Sequence, residues 1–109
     1  MDVRKAAEAA RDYLVSIRRE FHQHPELSMQ EFRTAQRIEE ELDRLGIPHT
    51  RVGETGVLGT LRGEKEGGRA VVLRADIDAL PIEETHECAY RSHNPGVMHA
   101  CGHDAHAAC

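Results

Sequence analysis

The stretch Met98-His99-Ala100-Cys101-Gly102-His103-Asp104-Ala105-His106 carries three imidazoles, one thiol and one carboxylate within nine residues. Thiolates and imidazoles are good ligands for zinc and for other borderline-soft divalent metals. Cys101 and His103 are two residues apart, and alternate residues of an extended segment project to the same side. Gly102 between them permits an unusual backbone turn. We therefore predict that Cys101 and His103 can face one metal ion together.

The spacing of these residues leaves other arrangements open. His99 and His103, or His103 and His106, would share a face if the segment were helical. Asp104 and His106 begin a predicted helix that continues to Ala108, with Asp104 at the N-cap or in the first turn. Two ligands do not complete a zinc site, which needs three or four from the protein. The remaining ligands are expected elsewhere in the chain, in a partner, or in sequence beyond it.

The composition excludes several classes of protein. The chain has 109 residues, the length of one small domain. Its formal charge of -5 is opposite in sign to the basic surface that typically binds nucleic acid. Three cysteines are an odd count, which indicates reduced thiols rather than a disulfide framework. The sequence shows neither a signal peptide nor an apolar run of membrane-spanning length. These features predict a soluble, cytoplasmic protein that binds neither nucleic acid nor membrane.

Two helices are predicted upstream of this stretch. Apolar residues recur at helical spacing from Asp2 to His22, and Pro25 ends that helix. The second helix is expected to begin with a capping box, in which Ser28 is the N-cap and Glu31 reaches back to it. Gly46 is expected just after its last turn. His22 and His24 could be metal ligands, although a helix-terminal pair beside a turn is the simpler interpretation.

Three strands are predicted after the helices, at residues 49–52, 57–62 and 69–75. The third contains Ala70-Val71-Val72-Leu73, which is apolar on both faces, as in a strand that is covered on both sides. Two helices followed by a buried sheet indicate an α/β layered fold.

Two carboxylates, Asp76 and Asp78, follow the third predicted strand. In open α/β sheets, ligands bind beyond the carboxyl ends of the strands. A carboxylate at this position can bind a metal ion or orient an imidazole that does so. Asp residues are also common in ordinary turns after strands, but we favour a role in the metal site.

Three segments together resemble the M20 metallopeptidase family. They are Arg74-Ala75-Asp76-Ile77-Asp78-Ala79-Leu80-Pro81-Ile82, the run from Gly96 to His106, and Arg19-Glu20-Phe21-His22-Gln23-His24-Pro25-Glu26-Leu27-Ser28. The match is closest to the amidohydrolase branch, which includes hippurate hydrolases, N-acyl-amino-acid deacylases and hydrolases of auxin–amino acid conjugates. The resemblance implies the N-terminal part of a zinc-peptidase-like catalytic domain. It also implies hydrolysis of the amide bond of N-acyl amino acids with two divalent metal ions, such as Zn, Mn, Ni or Co.

The resemblance implies roles for individual residues. Cys101 and His103 stand at positions of metal ligands, and Asp78 stands where the family has an Asp that supports catalysis. Asp76 occupies a place where many M20 members carry a metal-binding His, so it is expected beside the ligands rather than on the metal. His106 is expected behind the ligands or facing the substrate, and His99 is expected to be structural.

The resemblance also implies parts that the chain does not contain. In the family, the general base is a Glu of a Glu-Glu pair further along the sequence, and a lid or dimerisation domain is inserted into the catalytic domain. Residues 1–109 are therefore expected to be an N-terminal fragment that is inactive alone. The complete enzyme is expected to act on a small N-acyl amino acid or peptide-like substrate and to form homodimers.

Two alternatives to a hydrolase remain open from the sequence. The first is a small zinc-binding module without catalysis, in which His86, Cys88, Cys101 and His103 form a closed site. The second is a degenerate family member that serves as a partner-binding domain.

Overall fold

The computed structural model describes residues 1–65 and 67–109. The elements in chain order are α1 (Val3–Gln23), α2 (Phe32–Arg44), β1 (His49–Val52), β2 (Gly56–Gly59) and α3 (His103–Ala108). Helices followed by strands confirm the predicted α/β class. None of these helices, which all lie in the described part of the chain, is both long enough and apolar enough to cross a membrane.

The first helix, α1, is capped and terminated by local sequence. The Asp2 side chain accepts a hydrogen bond from the backbone N–H of Lys5 at 3.2 Å, which satisfies one of the unpaired amides of the first turn. The helix ends at Gln23, two residues before Pro25, as the sequence predicts. Its apolar face buries Ile17 and Phe21, and α1 packs against α3.

The strands β1 and β2 form an antiparallel hairpin that packs on α2. His49 lies opposite Gly59, and the turn contains Gly53 at φ 62°, in the left-handed region that favours glycine. A Cβ atom on Gly59 would lie 3.4 Å from the Leu42 Cδ1 atom, so α2 lies directly on this strand. The predicted position of β1 is confirmed, whereas β2 is shorter than predicted and ends at Gly59.

Backbone bridges join the three segments that carry the sequence motifs. Leu27 forms a parallel bridge with Ala79, whose N–H donates to the Glu26 carbonyl at 2.8 Å. Leu80 and Met98 exchange two backbone hydrogen bonds, of 2.9 and 3.1 Å. These bonds link the turn after α1, the residues after Asp78 and the start of the histidine-rich stretch.

The expected third strand, at residues 69–75, is not formed. Val71, Val72 and Leu73 are 85%, 84% and 92% exposed, and no strand is present in this segment. A strand exists only when its backbone groups pair with a neighbour. The described residues supply no such neighbour, so the apolar pattern does not lead to a strand here.

The expected capping box at α2 is also wrong. The helix begins at Phe32, and its N-cap residue, Glu31, makes no capping hydrogen bond with its side chain. Met29 adopts φ 66°, so the chain turns after Ser28 instead of entering a helix there. The expected C-terminal position of Gly46 is confirmed by its φ of 68°.

A different carboxylate caps α2 from outside the helix. Glu26 accepts hydrogen bonds from the backbone N–H groups of Arg33 and Thr34, at 3.1 and 2.6 Å. It also accepts one from the Thr34 hydroxyl at 2.7 Å. A negative charge at a helix N-terminus is favourable because the unpaired amides carry partial positive charge.

Candidate metal centre

The His103 ring is held by Asp78 from one side. Its Nδ1 atom lies 2.9 Å from the Asp78 carbonyl oxygen and 3.0 Å from the Asp78 Oδ1 atom. With these acceptors, the geometry assigns the proton to Nδ1, which leaves Nε2 as the nitrogen able to bind a metal ion. Histidines that ligate metals commonly donate their other ring nitrogen to a carboxylate or a carbonyl in this way.

The start of α3 sets the positions of the other candidate ligands. Gly102 precedes His103 with φ 111°, a conformation that side chains rarely adopt. Cys101 is exposed and is not disulfide-bonded, so its sulfur is accessible. His106 is also exposed, near the end of the same helix.

The structure separates Asp76 from His103. The Asp76 carboxylate pairs with Arg74, whose Nη2 atom lies 3.0 Å from Oδ1, and its side chain is half exposed. Of the two predicted carboxylates, only Asp78 is therefore brought to the imidazole.

His99 is buried, and within the described part of the chain neither of its ring nitrogens has a hydrogen-bond partner. Burial is the main cause that lowers its pKa from the ordinary value, and it outweighs the nearby Asp104 carboxylate, which acts in the opposite direction. The ring is therefore stabilised in its neutral form.

A cavity of about 460 Å³ lies beside the candidate centre. Its lining includes Asp76 and Asp78, together with Thr55 and the buried Glu31. The Oε2 atom of Glu31 has no hydrogen-bond partner. Three carboxylates, those of Glu31, Asp76 and Asp78, therefore line this cavity.

The side chains present fit part of a divalent metal site. An accessible thiol and an imidazole with its Nδ1 already engaged are the donor types that zinc and related ions prefer. Within residues 1–65 and 67–109, no three His, Cys, Asp or Glu side chains are grouped so that they could hold a metal ion. The closed zinc module of His86, Cys88, Cys101 and His103 is therefore not formed.

The structure also reveals a buried network that the sequence interpretation missed. His22, which we expected to be an ordinary helix-terminal histidine, contacts Asp104 through Nδ1 at 2.8 Å and Glu84 through Nε2 at 2.9 Å. Arg18 Nε lies 2.9 Å from the same Asp104 oxygen. One signal for this network was available in the sequence. His22 directly follows the apolar residue Phe21 on α1, so it could be buried, and a buried imidazole requires polar partners.

Comparisons with known proteins show which proteins the chain resembles. Residues 72–109 match the sequence model of "Peptidase family M20/M25/M40". The crystal structure described as Bacillus subtilis YXEP protein, a dinuclear metal binding peptidase from the M20 family, superposes with a TM-score of 0.86 at 43% identity. The superposition covers 93% of this chain and 29% of that one.

Curated relatives extend over nearly the whole chain. Thermostable carboxypeptidase 2 of Saccharolobus solfataricus is 50% identical over 99 residues, which cover 89% of this chain and 25% of the relative. The N-acyl-L-amino acid amidohydrolase of Geobacillus stearothermophilus is 44% identical over 108 residues, which cover 98% and 29%. The chain thus spans between a quarter and a third of the length of these relatives. By sequence and by fold, the chain is thus similar to the N-terminal part of M20 peptidases, and its residues 72–109 match peptidase family M20/M25/M40 itself.

Proposed function

We propose that this chain supplies part of the metal centre of a hydrolase that cleaves the amide bond of N-acyl amino acids. The observation that carries the proposal is the pair of contacts from His103 Nδ1 to the carbonyl and carboxylate oxygens of Asp78. A carboxylate and a carbonyl that occupy one imidazole nitrogen leave the other nitrogen available to bind a metal ion. The similarity to an N-acyl-L-amino acid amidohydrolase supports the substrate class.

The proposed roles follow from the chemistry of each side chain. The Cys101 thiolate and His103 Nε2 would hold metal, and Asp78 would orient His103 and strengthen it as a ligand. Asp76 and His106 would lie near the substrate or behind the ligands. Two bound divalent ions, such as Zn, Mn, Ni or Co, would polarise the amide carbonyl and lower the pKa of a bound water. The relative described as a dinuclear metal binding peptidase supports two ions.

The chain by itself is proposed to be inactive. Among its described residues no third ligand joins Cys101 and His103, and a Glu that acts as general base would have to come from residues outside this chain. We also propose that residues 1–109 form the N-terminal portion of a catalytic domain whose complete enzyme carries a lid or dimerisation domain and forms homodimers. Three cysteines without disulfide bonds support a cytoplasmic location.

A cobalt titration of the chain tests the metal assignment. We expect a sulfur-to-cobalt charge-transfer absorption band that is lost in Cys101→Ser. Asp78→Asn should weaken Co²⁺ binding by about 10- to 100-fold, because His103 loses its anionic support. Asp43→Asn is the matched control and should leave Co²⁺ affinity unchanged, since Asp43 also contacts a histidine ring, that of His49, but neither residue has a proposed role at the metal.

A hydrolysis assay tests the second part of the proposal. We expect the chain alone to release no amino acid from an N-benzoyl amino acid in the presence of Co²⁺ or Mn²⁺. Hydrolysis by the chain alone, abolished by Cys101→Ala, would contradict the proposed inactivity. Absence of the cobalt band in the wild-type chain would contradict the assignment of Cys101 as a ligand.

A further inference from the structure

His22 lies in the last turn of α1, between two acidic side chains from distant parts of the chain. Its Nδ1 atom is 2.8 Å from Asp104 Oδ2, and its Nε2 atom is 2.9 Å from Glu84 Oε2. The His22 ring therefore bridges the two acids, with one ring nitrogen facing each carboxylate.

This network is buried. His22, Glu84 and Asp104 are 4%, 3% and 1% exposed. Buried carboxylates are tolerated only when they are paired and hydrogen-bonded. Arg18 adds a positive charge by its contact with Asp104 Oδ2 at 2.9 Å. The four side chains thus form one cluster that joins α1 to Asp104 of α3 and to Glu84.

Each carboxylate has further partners that fix it in place. Burial alone would raise the pKa of Glu84, but hydrogen bonds from His22 and from the Ser92 amide hold it below the ordinary value. The Asp104 Oδ1 atom accepts a hydrogen bond from the Ala105 amide at 2.9 Å. The Tyr90 ring packs edge-to-face on His22, with ring centroids 5.6 Å apart.

The orientation of α3, the helix that carries His103, depends on contacts with the rest of the protein. The helix α3 has six residues, and isolated helices of this length are unstable in water. The residue before His103 is Gly102, at φ 111°, where glycine has access to many other conformations. The direction of His103 therefore depends on what anchors α3, and Asp104, its immediate neighbour, is the most deeply buried side chain of that helix.

We infer that His22 is a positioning residue for His103, which it orients by holding Asp104 at the base of α3. The bond from His22 to Asp104 ties α3 to the long helix α1, whereas the bond to Glu84 ties α1 to the loop before the histidine-rich stretch. With α3 held, the His103 Nδ1 atom meets Asp78. The inference rests on the proposed metal role of His103.

Two substitutions at one position separate the two bonds of His22. In His22→Asn, the amide nitrogen takes the place of Nδ1 and can still donate to Asp104. In His22→Gln, the amide nitrogen takes the place of Nε2 and can still donate only to Glu84. His49→Asn is the matched control, because His49 also pairs with two carboxylates, Asp43 and Glu39, but on elements that carry no proposed ligand.

The first measurement is the ¹⁵N NMR signature of the His103 ring in the metal-free chain. We expect one tautomer, with the proton on Nδ1, in the wild type, in His22→Asn and in His49→Asn. In His22→Gln the ring should leave Asp78 and show averaging between tautomers. Equal spectra for the Asn and Gln variants at position 22 would overturn the inference.

The second measurement is Co²⁺ affinity from the charge-transfer band. His22→Gln should lower it by about tenfold or more, the effect of losing a support behind a ligating histidine, whereas His22→Asn and His49→Asn should stay close to the wild type. A fall in melting temperature without a fall in Co²⁺ affinity would assign His22 a merely structural role and overturn the inference.

The test also covers a variant that does not fold and a wild-type chain that binds no Co²⁺. If His22→Gln does not fold, Asp104→Ala replaces it, because this change removes the carboxylate that His22 Nδ1 contacts while alanine keeps a good helix former in α3. The same loss of the His103 signature would support the inference, and an unchanged signature would overturn it. If the wild-type chain binds no Co²⁺, the proposed function fails separately, and the metal-free spectra still decide whether His22 positions His103.

Discussion

Individual carboxylates in this protein act on segments that are distant in sequence. Asp78 holds His103 across 25 residues, and Asp104 meets His22 across 82. Glu26 acts over a shorter distance, where it binds amides that α2 cannot pair internally. In each case one charged side chain fixes the geometry of a neighbouring element, so single substitutions should have defined effects.

Glu26→Ala should destabilise the chain through the start of α2. Removal of the carboxylate leaves the Arg33 and Thr34 amides without their partner, which should lower the free energy of unfolding by about 1–2 kcal/mol. Urea denaturation followed by circular dichroism measures the change. Ser28→Ala is the control and should change the free energy by less than about 0.5 kcal/mol. A larger effect of Ser28→Ala would contradict the Glu26 cap and would support the capping box in which Ser28 is the N-cap.

At the scale of elements, α1 and α2 are helices of 21 and 13 residues, whereas the sheet in the described part of the chain has two strands of four residues each. A two-stranded hairpin is only marginally stable by itself, and here it relies on packing against α2. The neighbouring apolar run of Val71, Val72 and Leu73 is exposed. Contiguous exposed apolar residues of high β propensity promote association between chains.

Val72→Lys should reduce self-association of the chain. A charge in the middle of the exposed apolar run opposes both strand pairing and apolar contact between copies. Sedimentation velocity over a range of concentrations measures the change in association. Val3→Lys is the control, because Val3 is an exposed valine at the start of α1, outside the run. Equal effects of the two substitutions would mean that net charge, rather than this segment, controls association.

At the scale of the whole molecule, one ionic cluster joins the two long helices. Glu41 of α2 accepts hydrogen bonds from Arg44, from Arg37 and from the Tyr13 hydroxyl of α1. The bond from Arg44 contributes most, followed by that from Tyr13, and together the contacts lower the pKa of Glu41 from 4.5 to about 2. Glu41 is thus ionised well below the pH at which a free Glu side chain takes up its proton.

This cluster predicts loss of stability in acid. Because the folded pKa of Glu41 lies below its unfolded value, its contribution is complete above about pH 4.5 and is lost as the pH falls toward about 2. The melting temperature of the wild type should therefore fall more steeply with acid than that of Glu41→Gln. Glu40→Gln is the control and should follow the wild type, since among residues 1–65 and 67–109 the exposed Glu40 side chain bonds only to Gln36. Parallel curves for the wild type and Glu41→Gln would refute the assignment.

Much of the architecture and the candidate ligands could be predicted from sequence because they depend on neighbouring residues. The periodicity of α1, the stop at Pro25, the glycine after α2 and the position of β1 are local signals, and the density of Cys101, Gly102 and His103 indicated metal chemistry. The motifs around them also indicated the family. None of these predictions required knowledge of which residues meet across the fold.

The features that the sequence did not reveal all depend on contacts between separate segments. The Glu26 cap arises because the backbone turns at Met29, and the segment at residues 69–75 remains unpaired because a strand needs a neighbour. The His22 network joins residues that are 62 and 82 positions apart. Local propensity reports which residues prefer a helix or a strand, but the burial of a charge and the choice of its partner are settled only when the chain has folded.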